Sequence, residues 1–111
     1  MKRYCLALDL VEDAVLIAEY QRWHKAENQW PEIRASITGS GICHMEIYRT
    51  GNRLFMLIET DDSFSFEQKA ALDAANPKVV EWEQLMGRFQ RTLPWAGDGE
   101  KWVLMENIYT L

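Results

Sequence analysis

With 111 residues the chain is sized for a single domain, residues 1–111, and its 48% hydrophobic content and five tryptophans are enough to fill a core. The formal charge of -5 is spread along the sequence, with no run of Lys or Arg to follow a phosphate backbone, which argues against nucleic acid and favours a neutral or cationic small partner. The longest apolar run, residues 54–58, falls far short of the ~20 residues a membrane span needs, and the first residues lack signal-peptide anatomy, so a cytoplasmic protein with no membrane partner is expected.

Residues 3–10 alternate as a strand, with a second face apolar enough to need cover on both sides. Cys5 lies here and Cys43 in a later strand; neither has C-x-x-C or Cys/His ligand spacing, so both are expected to be buried, reduced and structural. Asp13 fits the N-cap of a helix reaching about residue 25, on which Leu16, Ile17, Tyr20, Trp23, His24 and Glu27 share one side. Tyr20 and His24, four residues apart, stand about 5–6 Å from each other at Cβ and border the core. Pro31 suits the first turn of a second helix that ends at Gly39-Ser40-Gly41.

Residues 43–49 and 54–60 flank Thr50-Gly51-Asn52-Arg53 and predict an antiparallel hairpin, with His44, Glu46 and Tyr48 on one face. Ser65 with Gln68 has the form of a capping box and opens a helix to Asn76. Asn76 and Pro77 then start another over 78–89, which carries Val79, Trp82, Glu83, Met86 and Phe89 along one side. After a loop around residues 94–99, alternation over 102–109 predicts a fourth strand. The order β-α-β-β-α-β is that of the α+β, ferredoxin-like split βαβ unit, a four-stranded antiparallel sheet with helices on one face. A second copy of the chain is the simplest cover for the other face, which predicts a homodimer closed sheet to sheet.

His24 is the leading acid/base candidate, because an imidazole titrates near pH ~6.5. The spacing alone leaves open that it is a satisfied structural histidine, and Tyr20 taken singly reads equally well as core. Trp82 and Glu83 offer a ring for stacking and a carboxylate that accepts hydroxyl hydrogen bonds, although core packing and plain solvation explain them as readily. Trp23, Trp30, Trp95 and Trp102 can line a pocket or simply pack. His44 and Glu46 can meet a ligand or be an ordinary polar strand face. The chain has no phosphate-binding glycine loop, G-x-S-x-G elbow, H-E-x-x-H or Cys/His cluster, so an acid/base reaction without metal or cofactor fits best.

Glu19-Tyr20-Gln21-Arg22-Trp23-His24 and Trp30-Pro31-Glu32 resemble the first-helix signature of the L-rhamnose mutarotase family. Ile47-Tyr48, Asn52-Arg53-Leu54-Phe55, Trp82 before Met86, and Glu106 with Tyr109 follow in the family's order, so the resemblance covers nearly the whole chain. It implies a cytoplasmic, dimeric α/β barrel that interconverts the anomers of a 6-deoxy-L-sugar without cofactor. On that resemblance His24 is the catalytic acid/base and Tyr20 and Trp82 contact substrate; Trp30 is added as a substrate-binding candidate because its ring can line the pocket. Met45 stands where rhamnose-type members have a substrate-contacting Tyr, and Glu83 replaces the second Trp of their Trp-Trp pair, which favours the L-fucose-type branch. The competing readings are another dimeric α/β-barrel enzyme, such as a cofactor-free monooxygenase or haem-binding relative, and a non-catalytic sugar-binding module.

Overall fold

In a computed structural model describing residues 1–111, the chain opens with strand β1, Lys2–Leu10. Helix α1, Ala14–Trp23, follows, and Asp13 is its N-cap: Oδ1 accepts from the backbone N–H groups of Val15 and Leu16 at 2.9 and 3.0 Å. A single 3₁₀ turn over Ala26–Asn28 leads to α2, Pro31–Gly39, with proline at its first turn as expected. Strands β2, Ile42–Thr50, and β3, Arg53–Thr60, form the predicted hairpin. Of its two loop residues only Gly51 takes a positive φ, 56°, the requirement of a II′-type turn.

Helix α3, Phe66–Ala74, is capped by Ser65, which accepts from Gln68 N–H, and α4, Pro77–Gly87, by Asn76, which accepts from Lys78 N–H. Two short strands complete the sheet: β4, Gln90–Arg91, and β5, Val103–Leu104.

The strand order is β2-β3-β1-β4, with β5 also on β1, and every neighbouring pair is antiparallel. This is the ferredoxin-like arrangement, in which β3 separates β1 from β2. Register settles the faces. Leu6, Leu8 and Leu10 pair with Met56, Leu54 and Gln90, and their side is covered by helices that bring Tyr20 and Met86 against Leu10, Leu54 and Phe89. The opposite face carries Arg3, Cys5, Ala7 and Asp9 beside Glu59, Leu57, Phe55 and Arg53, and no element of the chain covers it. On that face Arg53 grips the buried Asp9 through two hydrogen bonds, 2.8 and 3.1 Å, and lies 5.3 Å from the centre of the Trp95 ring.

Three details differ from the sequence expectation. The predicted strand over 102–109 is ordered as a strand only at Val103–Leu104, and the remaining edge of β1 is taken by Gln90–Arg91. Alternation marks an extended segment, but a ladder needs a partner, and residues beyond Met105, whose N–H reaches Cys5 O, find none within the chain. Helix α4 stops at Gly87, so Phe89 belongs to the core at the approach to β4 rather than to a helical stripe. Neither cysteine is fully buried: Cys5 is half-buried on the uncovered face, and Cys43 is exposed because it sits in a β-bulge, where Ile42 pairs with Thr60 and His44 with Glu59, leaving one extra residue between them.

No helix is long and apolar enough to cross a membrane, and no cluster of three or more His, Cys, Asp or Glu side chains is placed to hold a metal ion.

Candidate active site

The bulge at Cys43 decides which residues of β2 see the helices. Strict alternation from the inward-facing Ile42 would send His44, Glu46 and Tyr48 inward. The extra residue reverses the parity, so Met45 and Ile47 pair with Ile58 and Met56 on the covered face. Between this face and α1, α2 and α4 lies a cavity of about 740 Å³, in the range of small-molecule sites.

All six residues singled out from the sequence, Tyr20, His24, Trp30, Met45, Trp82 and Glu83, line it. Their chain separations are large; helix packing brings them together. Trp82 stands edge-on to its neighbours, with ring centres 5.1 Å from Trp30, 6.4 Å from Trp23 and 5.8 Å from His24. These rings form an apolar wall of the sort that stacks on the C–H face of a sugar ring.

His24 closes α1 and turns back on it: Nδ1 is 2.7 Å from the Tyr20 carbonyl oxygen. A carbonyl only accepts, so Nδ1 carries the proton and Nε2 is left with a free lone pair. Burial holds the imidazole below its ordinary pKa, opposed in part by that same bond, so the ring is neutral at pH 7. Its geometry therefore makes it a base first and an acid only after it has taken a proton.

Tyr20 is stacked beside it, ring centres 4.4 Å apart, and is almost wholly buried. Burial pushes its phenol up to about 12, against a lowering from the nearby Gln90 side chain and with a smaller push from the Glu83 carboxylate. The phenol keeps its proton throughout the physiological range and can donate it. Glu83 Oε2 is held by Lys101 Nζ at 3.1 Å at the half-exposed mouth of the cavity.

Gln90, Lys69 and Asp73 also line the cavity and had no signal in the sequence reading. Lys69 and Asp73 pair with each other along α3; their i, i+4 spacing was readable, but not that this face of α3 meets the site. Gln90 Oε1 is buried without a hydrogen-bond partner. Such an orphaned group costs about 1–3 kcal/mol. Of the polar strand residues considered from the sequence, Glu46 and Tyr48 lie on the open face, while His44, next to the bulge, also borders the cavity and turns its Nε2 to Glu46, 2.9 Å from Oε1.

Residues 3–111 match the family model described as L-rhamnose mutarotase. An L-fucose mutarotase of Xanthomonas campestris pv. campestris is 46% identical over 111 residues, covering 100% of this chain and 89% of that protein. A UPF0734 protein of Dictyostelium discoideum is 38% identical over 117 residues, covering 99% and 90%. Among solved structures, an L-rhamnose mutarotase from Formosa agariphila superposes with a TM-score of 0.73 at 18% identity, over 100% of this chain and 99% of that one. Tetracenomycin F2 cyclase from Streptomyces glaucescens superposes with a TM-score of 0.63 at 19% identity, over 100% and 97%. At these identities the two structures speak for the fold alone, and a cyclase beside a mutarotase illustrates that this fold hosts unrelated chemistry.

Proposed function

The chain belongs to the L-rhamnose mutarotase family of carbohydrate-acting isomerases, and from that premise we propose that it interconverts the α and β pyranose anomers of a 6-deoxy-L-sugar, L-fucose in preference to L-rhamnose. The observation that carries the chemistry is the single hydrogen bond from His24 Nδ1 to the Tyr20 carbonyl, which leaves a neutral Nε2 as base in a cavity walled on that side by Trp82 and Trp30.

His24 Nε2 takes the proton of the anomeric hydroxyl as the C1–O5 bond breaks, and the electron pair of that bond goes to O5. The Tyr20 phenol, still protonated, gives its proton to O5. The open aldehyde rotates about C1–C2, attack of O5 on the other face of C1 closes the ring, and the two protons return. Trp82 and Trp30 hold the sugar's apolar face meanwhile. The 46% identity to an L-fucose mutarotase supports L-fucose, as do Met45 and Glu83 in the cavity, since a carboxylate and a thioether reward a different hydroxyl pattern from two aromatic walls. A second copy of the chain covers the open face of the sheet, and the enzyme works in the cytoplasm. A monomeric mass in solution at micromolar concentration would overturn the dimer.

Saturation-transfer NMR on the anomeric protons of L-fucose and L-rhamnose at equilibrium tests the reaction. Exchange above the buffer rate for L-fucose, and slower exchange for L-rhamnose, is the expected result. Exchange at the buffer rate for both sugars refutes the activity, and faster exchange for L-rhamnose refutes the preference.

A further inference from the structure

Gln90 enters the cavity from β4, where it pairs with Leu10, and its amide is the one buried side-chain group left partly unsatisfied. Gln90 lies close enough to Tyr20 to lower its phenol pKa against burial, and its Oε1 is buried without a partner. No group of the chain donates to that oxygen. The final torsion of a glutamine is soft, so a small turn presents Oε1 to a ligand in the cavity that Gln90 lines.

We propose that Gln90 is a substrate-binding residue: Oε1 accepts a hydrogen bond from a hydroxyl of the bound sugar. This rests on the mutarotase reading and adds to it a polar contact on the sheet side of the cavity. An acceptor that is orphaned without ligand and satisfied with it contributes to affinity twice, by the bond formed and by the strain removed. It also selects for a hydroxyl over a hydrogen at the position it meets.

Replacement by a side chain of similar length with no amide tests the contact. Gln90→Met is expected to raise KM for L-fucose, and Kd by calorimetry, about tenfold, with kcat changed by less than about threefold. Its melting temperature in the absence of sugar should equal or exceed that of the unaltered protein. In the unaltered protein the Gln90 side-chain NH₂ signals should move on titration with L-fucose, a readout that does not require the variant to fold. Unchanged KM and Kd with a lowered melting temperature, or Gln90 signals that stay still while the sugar binds, overturn the proposal and leave the mutarotase reading standing. Absence of both binding and exchange in the unaltered protein overturns the two together.

Discussion

On the open face of the sheet His44 Nε2 lies 2.9 Å from Glu46 Oε1 and Tyr48 donates to Glu46 Oε2, whereas on the covered face His24 commits one nitrogen and Gln90 leaves an oxygen with nothing to bond. The residue types are nearly the same: a histidine, a tyrosine and an acceptor. On the open face the three satisfy one another, and the shared carboxylate is held below its usual range by the Tyr48 bond first and by His44 second. On the covered face burial pushes Tyr20 up and His24 down, and hydrogen-bonding capacity is left over. Unused capacity in a dry, concave place distinguishes a site from a polar surface, because only there does a ligand gain what water cannot supply.

The largest effect on this contrast should come from His24→Ala, expected to lower the anomer exchange rate by ~10²–10⁴-fold with the fold intact by circular dichroism. A loss of folding would make His24 structural, like the satisfied groups of the open face.

The pH profile comes next. With its pKa below the ordinary ~6.5, His24 stays neutral and active down to that value, so kcat/KM should hold through neutrality and then fall about tenfold per pH unit once below the lowered pKa. A fall centred above pH 6.5 would contradict a buried base. The linkage has a stability counterpart: below pH ~6.5 the unfolded chain takes a proton that the folded imidazole resists, so the unfolded state binds more protons and stability declines as pH falls, until the folded pKa is passed. Melting temperatures measured across pH 5–7 check this sign. On the alkaline side, a Tyr20 pKa near 12 leaves no loss of activity up to pH ~10.

Glu83→Trp should shift the ratio of L-fucose to L-rhamnose exchange rates toward L-rhamnose by about 5- to 50-fold, the worth of one polar contact exchanged for an apolar wall. An unchanged ratio would place the specificity elsewhere in the cavity. The smallest effect should be that of Tyr48→Phe, which removes a bond of the open row. Activity should stay within about twofold and stability within about 0.5 kcal/mol, measured by exchange NMR and thermal melts. A tenfold loss of activity would dissolve the distinction between the faces.

Much of the fold was legible because its signals are local. Asp13, Ser65 and Asn76 each cap the helix that their sequence context predicts, since an N-cap needs only its own side chain and backbone two or three residues on. Gly51 marks the hairpin for the same reason. The C-terminal edge was less legible: whether residues 102–109 form a long strand depends on a free edge of β1, which Gln90–Arg91 partly occupies.

The site divides in the same way. Tyr20 and His24 are paired by helical spacing alone, and the Trp30 and Trp82 positions were readable from the family pattern. The sequence by itself thus determined the helix starts, the β2–β3 hairpin and the imidazole-phenol pair, all consequences of chain neighbours a few residues apart. Only the tertiary structure decided that the β2 bulge turns Met45 inward, that burial keeps His24 neutral and Tyr20 protonated, and that Gln90 reaches the cavity with an unpaired oxygen. Each of these depends on which distant segments exclude water from the group, and that is a property of packing rather than of spacing.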